Sequence, residues 1–491
     1  MTHAATHKST VTAASIHGVA SKPHAWFRAI AQVVLILLLA YSTLGYSWFG
    51  TSTRADQYLH DLFNTYAGNW LYPDASEQIT VLLLTDESVD HYQQGHWPAR
   101  YDFHAQVLNT LLRHKPAAVF IDFLWLSQRP TAATNRVRDG DYLIHVLQRY
   151  KAAGIPVYLS YSPGVVGHLG KDLRGLVRYV SAQVDLDYTD FVYRRYPVNH
   201  GSQRTAAFRM AEDADPARFS PISDADMDIF WGTRPNRANQ HWMAGDHPSP
   251  GMLQVLHSGY TGVSTPVPYT TTLYVRDLLN PRAQTNAIAD QQARDLLQNR
   301  FVMYGGNLSG VQDLIFTPTR QLLPGVYLHA MALDNLLHWG KAYKSSNGTT
   351  WIARAWGHET LSLLFILPVA LVFAFFSNAA ALCPGFCTQS AGYQRLQTLA
   401  NQHPLWMQRL CAVLVGLYLL ICATIEFHYF GVSASSLAGY IAFIALGYFL
   451  DRLKLLDWMM NDARPTARSW ANTIHQAAQS YLAHLKQRDL P

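Results

Sequence analysis

Two hydrophobic patterns divide the chain. Its long middle part carries short apolar runs separated by stretches with helical spacing, while three blocks outside it are almost free of charge. In the middle part, ITVLLLTDE from Ile79 is a continuous apolar run closing on acids, the pattern of a buried parallel strand. From Arg100, Phe103, Val107, Leu108, Leu111 and Leu112 recur at the spacing of one helix face. AAVFIDF from Ala117 predicts a second buried strand, DYLIHVLQRYKAAG a helix ended by Gly154, and IPVYLSYSPG a third strand. RDLLQNRFVMYGG predicts the end of a helix, a fourth strand and a glycine turn, and PGVYLHAMALDNLLHW a last helix. Strand and helix in this rhythm predict an α/β domain, with a mostly parallel sheet and helices on both faces. The stretch 163–300 breaks the rhythm and reads as an elaborated insertion, with one further strand and turn in DMDIFWGTRPN.

The charge-free blocks predict an α-helical membrane region. No charge occurs between Arg28 and Arg54, or between Thr360 and Gln394, and Glu426 is the single acid between Leu410 and Leu450. A span needs about 20 apolar residues. The blocks therefore predict four transmembrane helices, at 29–50, 360–383, 410–427 and 432–450, with a turn near FHYFGVS that places Glu426 in a solvated loop. The aromatic residues Tyr41, Tyr46, Trp48 and Phe49 suit a membrane interface better than a cleavage site. Lys8, Lys22 and Arg28 before the first span, Arg395 and Arg409 in the loop 384–409, and Arg452 and Lys454 after the last span set the direction. By the positive-inside rule the tail 1–28 and the tail 451–491 are expected in the cytoplasm, and the domain 51–355 outside a bacterial inner membrane.

Composition narrows the function. Only 14% of residues are charged, against about 25% in soluble domains, as membrane spans require. The net charge of +5 comes without a basic cluster interleaved with aromatics, so no nucleic-acid partner is expected. The four cysteines, Cys383, Cys387, Cys411 and Cys422, lie in or beside the C-terminal membrane blocks, which leaves the outer domain without a disulfide. The C-P-G-F-C pair reads as ordinary membrane-edge cysteines. No phosphate loop, dinucleotide fingerprint, nucleophile elbow or zinc helix is present, so neither an enzyme activity nor a cofactor or metal is expected.

In parallel α/β sheets, ligands gather outside the carboxyl ends of the strands. Asp86 and Glu87 end the first predicted strand, Asp122 the second, and Gly305 and Gly306 the fourth. If the first two strands are neighbours, their carboxylates face one crevice and can bind a cation or do acid–base work; equally, they can cap helices and pin loops. Arg100 and His104, one helical turn apart, can meet an anion or pair internally with Asp86 and Asp122.

Together these residues resemble the type-two CHASE domain, an extracellular sensory domain associated with cyclases and histidine kinases. The resemblance rests on LLLTDES, Trp97-Pro98-Ala99-Arg100, His104, Ile121-Asp122, FVMYGG, Asp313, Thr317-Pro318, Pro324-Gly325-Val326 and His329-Ala330. It covers roughly residues 50–345 and implies a periplasmic sensor whose candidate ligand residues include Asp313 and His329. It transfers no catalytic residue. About forty residues follow Asp451, too few for the effector domain that the resemblance implies there. They predict an amphipathic helix with Trp470, Ile474, Tyr481 and Leu485 on its apolar face, which can lie on the inner leaflet or dock into a partner protein. Three functions stay open: a sensor or adaptor read by a cytoplasmic partner, a structural subunit of an envelope-spanning secretion or conjugation assembly, and a periplasmic enzyme using Asp86 and Asp122. Besides the bilayer and a protein partner, a second copy of the chain remains a candidate partner.

Overall fold

The computed structural model describes residues 22–45, 57, 60–61, 63–65, 77–125, 136–162, 173–220, 224–232, 236–240, 268–280, 287–383 and 390–432, apart from a few single positions inside these ranges. Residues 49–361 and 421–438 cluster as one compact unit; the described parts of 1–48 and 362–420 form another.

The larger unit is built on one six-stranded sheet. Its strands are β1 (Ile79–Thr85), β2 (Ala118–Ile121), β3 (Val157–Ser160), β4 (Arg178–Val180), β5 (Thr271–Tyr274) and β6 (Phe301–Asn307). They lie in the order β4-β3-β2-β6-β1-β5, and every neighbouring pair is parallel. Strand β1 is apolar at nearly every position because both of its faces are covered. Ile79, Val81 and Leu83 enter one core, and Leu82 and Leu84 enter the other. Against the second face pack α1 (Tyr101–Arg113) and α2 (Arg136–Ala152). Against the first pack α3 (Ala206–Ala214) and, further along the chain, α5 (Val326–Trp339). The helix α4 (Ala287–Leu297) leads into β6, and its Leu297 joins the second core. A hairpin of β7 (Leu314–Phe316) and β8 (Leu322–Pro324) follows β6.

Three expectations change. The region 163–300 supplies more than an insertion, because β4, β5 and α3 come from it and the two strands form both edges of the sheet. Strands β1 and β2 are not neighbours: β6 arrives from far along the chain and pairs with both. Gly305 and Gly306 form no turn, since β6 runs through them to Asn307, in register with Leu83 and Leu84 of β1. Gly305 instead admits a helix. A Cβ there would lie 2.5 Å from the Cβ of Val326, at the start of α5. Gly305→Val is therefore expected to push α5 off the sheet and cost about 1–3 kcal/mol, seen as a lower denaturant midpoint of the full-length protein in detergent.

In the other unit, an N-terminal helix spans Lys22–Gly45, and α6 (His358–Leu382) carries Pro368 within it. Helices α7 (Ala391–Gln402) and α8 (Pro404–Ile425) follow. Polar groups tie this unit together: Asn378 Nδ2 donates to Gln32 Oε1 at 2.6 Å, and the Tyr418 hydroxyl donates to the Phe365 carbonyl at 3.0 Å. Among the described residues one helix, Arg409–Phe430, is long and apolar enough to cross a membrane, and Ala29–Ser42 and Thr360–Phe375 are shorter apolar helical stretches. The fourth expected span and the helix carrying Trp470, Ile474, Tyr481 and Leu485 lie outside the described residues, except for Val432. Glu426 does not sit in a solvated loop. It is buried at the start of a π-helical turn, Glu426–Phe430, which belongs to the larger unit.

Candidate functional site

At the carboxyl edge of the sheet two side chains, Asp122 and His329, come together, and a third, Asp313, lies near enough to feel the Asp122 charge. Asp122 follows β2, His329 sits in the first turn of α5, and Asp313 precedes β7. The Asp122 backbone N–H donates to the Tyr304 carbonyl at 2.8 Å, which extends the β2–β6 ladder by one bond and fixes where the carboxylate points. Its side chain, only 12% exposed, accepts from Ser160 Oγ at 3.2 Å and stands 3.9 Å from His329 Nε2. Asp313 is held from the other side, where its carbonyl accepts the Gly325 N–H at 2.8 Å.

His329 is held through its Nδ1 by a buried phenol. The Tyr196 oxygen accepts the Ala207 N–H at 3.2 Å, and its own hydroxyl lies 2.7 Å from His329 Nδ1. With the phenol as donor in this contact, the imidazole proton is on Nε2, the nitrogen that faces Asp122; with Nδ1 as donor it is on Nδ1. Burial holds the His329 pKa down to about 3, which leaves the ring neutral at physiological pH. The carboxylates move the other way. Burial pushes Asp122 up to about 6, and the Ser160 hydrogen bond offsets part of that rise. Asp313 keeps exposed surface at the rim, yet desolvation first and the Asp122 charge second push it up to about 7. Both carboxylates therefore keep their protons to higher pH than free ones, and the charge of the pair depends on pH. A modest change in pH, or a positive group entering the mouth, therefore changes its charge. Ser160 and Tyr196 carried no signal in the sequence: one reads as the end of a strand, the other falls in an irregular stretch.

The chain matches the CHASE2 domain family over residues 33–372, more than half its length. It belongs to that family. CHASE2 domains are extracellular sensory domains, and membership is consistent with a sensor. No curated protein and no solved structure matches the chain.

The other motif residues of this CHASE2 domain are engaged elsewhere. Asp86 accepts the Ser309 N–H at 3.0 and 3.2 Å and so pins the loop after β6. Glu87 pairs with Arg276 on the surface. With β6 between β1 and β2, Asp86 and Asp122 do not end neighbouring strands. Arg100 precedes α1 as its extended cap residue and binds Asp102 at 2.7 Å rather than Asp86 or Asp122. His104 is buried inside α1, with Nδ1 3.0 Å from the Tyr304 hydroxyl and its ring against Phe123 and Trp125. Gly306 lies 3.2 Å, measured from where its Cβ would be, from the ring of Phe123. Of the predicted ligand residues, the structure brings together Asp122, Asp313 and His329, with Gly305 supporting α5 behind them. Among the described residues no group of three or more His, Cys, Asp or Glu side chains is placed to hold a metal ion.

A groove of about 720 Å³ opens at the opposite, amino ends of β2, β3, β4 and β6, lined in part by Tyr158, Arg178, Met210 and Asp213. Its polar groups are engaged with one another. Tyr158 donates to Asp213 Oδ2 at 2.9 Å, Arg209 Nε reaches the same oxygen at 2.9 Å, and Arg178 pairs with it too. The carboxyl edge, where charge is left to titrate, is the better candidate for a ligand site.

Proposed function

We propose that this protein is a membrane-anchored sensory or adaptor protein. Its CHASE2 domain binds a ligand or an envelope component outside a bacterial inner membrane, and a separate cytoplasmic partner reads the change. The observation that carries this reading is the Asp122–Asp313 pair beside neutral His329, at the carboxyl edge of a sensory domain's parallel sheet. The site acts by binding rather than by catalysis, and its acidity favours a ligand that brings positive charge. The apolar helix Arg409–Phe430 and the apolar stretches Ala29–Ser42 and Thr360–Phe375 support anchoring in the bilayer. So do Leu371, Val372, Leu414 and Leu417, which expose apolar surface suited to hydrocarbon. In this reading four helices cross the membrane, both termini are cytoplasmic, and the helix from Trp470 contacts the partner through Ile474, Tyr481 and Leu485.

A second reading, a structural subunit of an envelope-spanning assembly, is favoured by the exposed Phe191, Val311, Leu314 and Phe316 at and near the β7–β8 hairpin. Both readings are tested by purifying the full-length protein from its native membrane in mild detergent and identifying what accompanies it by mass spectrometry. A signalling protein in fixed ratio, lost when residues 465–491 are deleted, is the expected result. Recovery of many envelope-machine subunits would replace it with the structural reading. The protein recovered alone would sink both.

A further inference from the structure

The domain's core contains a piece of chain from beyond the family match. Phe427 is 2% exposed and belongs to the same core as Met331, Leu333 and Leu336 of α5. Its ring lies 5.4 Å from that of Phe63, 5.3 Å from Phe230 and 5.9 Å from Trp339, the last residue of α5. The match ends at residue 372. This plug follows directly on α8, within the apolar helix Arg409–Phe430.

The plug is locked as well as packed. Lys344 is almost fully buried; its ammonium donates to the Phe427 carbonyl and lies 4.3 Å from the centre of the Phe427 ring and 5.0 Å from that of Trp339. The last carbonyls of a helix lack partners within it, and a cation there satisfies both the hydrogen bond and the dipole. Backbone pairing continues the lock, with the Ser345 N–H donating to the Gly431 carbonyl at 3.0 Å and the Thr350 hydroxyl to the Phe430 carbonyl at 3.3 Å. Gly431 has φ +65, and a Cβ there would meet Thr349 Oγ1 at 2.2 Å, so no other residue closes this turn unchanged.

Helix α5 links this lock to the carboxyl-edge cluster. His329 is in its first turn and Trp339 is its last residue, about 15 Å apart along the axis at 1.5 Å per residue. Every residue between Val326 and Leu336 is buried, so close packing on all sides makes the helix move as a body. We propose that α5 is a strut that couples the Asp122–Asp313–His329 cluster to the Phe427 plug, and through it to the apolar helix ending there. The proposal rests on the reading of that cluster as the sensing site.

The test is hydrogen exchange of the full-length protein in lipid nanodiscs, read on peptides covering 344–350 and 426–432 and on peptides covering Ser160 and His329. Asp122→Asn, which removes the charge beside His329, is expected to change exchange at 426–432 at least threefold. Lys344→Met, which keeps the packing and removes the cap, is expected to raise exchange at 426–432 and to alter the peptide containing His329 in turn, as reciprocity demands. If Asp122→Asn changes the Ser160 and His329 peptides but leaves 426–432 as in the parent, the strut is overturned and the sensing site survives. If it changes neither, the sensing site falls and the strut with it.

Discussion

Replacing Arg194 by methionine is expected to destabilise the outer domain by about 3–5 kcal/mol, the cost of breaking a buried ion pair from one side. The guanidinium is 8% exposed and serves three carboxylates. It grips Asp61 with two hydrogen bonds of 2.8 and 2.7 Å and Asp190 with two of 2.9 and 2.5 Å, and it stands 3.5 Å from Asp187. These acids keep the Arg194 pKa well above its ordinary value, against the opposing effect of burial. Methionine fills much of the space but leaves the acids facing one another without a cation. Lysine should rescue only part of it, since a point charge cannot make paired bonds to two carboxylates. Thermal unfolding of the full-length protein in detergent is the check, with a midpoint lowered on the order of 10 °C. An unchanged midpoint would show that the Arg194 network contributes nothing to stability.

Nothing in the sequence announced that network, because its residues are scattered between 61 and 194 with no periodicity to join them. The central strands were legible for the opposite reason. Burial on both faces makes β1 and β6 apolar almost throughout, and such runs stand out. Strands β4 and β5 were missed because they are the sheet's edges, where RYV and TTLY need less apolar surface. The order of strands was not legible either, and with it went the idea that Asp86 and Asp122 share a crevice. Helical spacing misled once. Arg100 and His104 are four residues apart, but Arg100 is the extended cap of α1 rather than a member of it, so the one-face argument did not apply. Phe427 was read as the last residue of a span, where the turn FHYFGVS begins, because lipid and protein core reward the same side chains.

The candidate site was partly legible, since Asp122, Asp313 and His329 all fall in the motifs of the CHASE2 resemblance. What no motif could give is their titration, and that leads to the second large effect. Asp122→Asn is expected to leave the protein about as stable as the parent near pH 4 and more stable, on the order of 2–3 kcal/mol, above pH 7. Burial is the leading cause, raising the folded-state pKa to about 6. Between the unfolded value near 4 and about 6, the folded chain holds a proton that the unfolded chain has lost, so this group's stability falls as pH rises through that window and is constant above it. Asp313, raised to about 7, has the same sign and extends the decline. His329 opposes both: held down to about 3, it makes the folded state gain stability as pH rises from there towards 6.5. The pH profile of the parent alone therefore mixes opposite slopes, and the informative quantity is the difference between parent and variant. Asparagine still accepts the Ser160 hydroxyl, so that difference reports the Asp122 charge together with its repulsion of Asp313. Denaturant midpoints of both proteins at pH 4 and pH 7.5 measure it. A gap that is the same at both values would show that Asp122 titrates normally, and the carboxyl edge would then lose the property that marks it as a sensing site. A gap that opens with pH would show a domain that gives up stability to keep a carboxylate where a ligand can relieve it, the usual trade at functional sites.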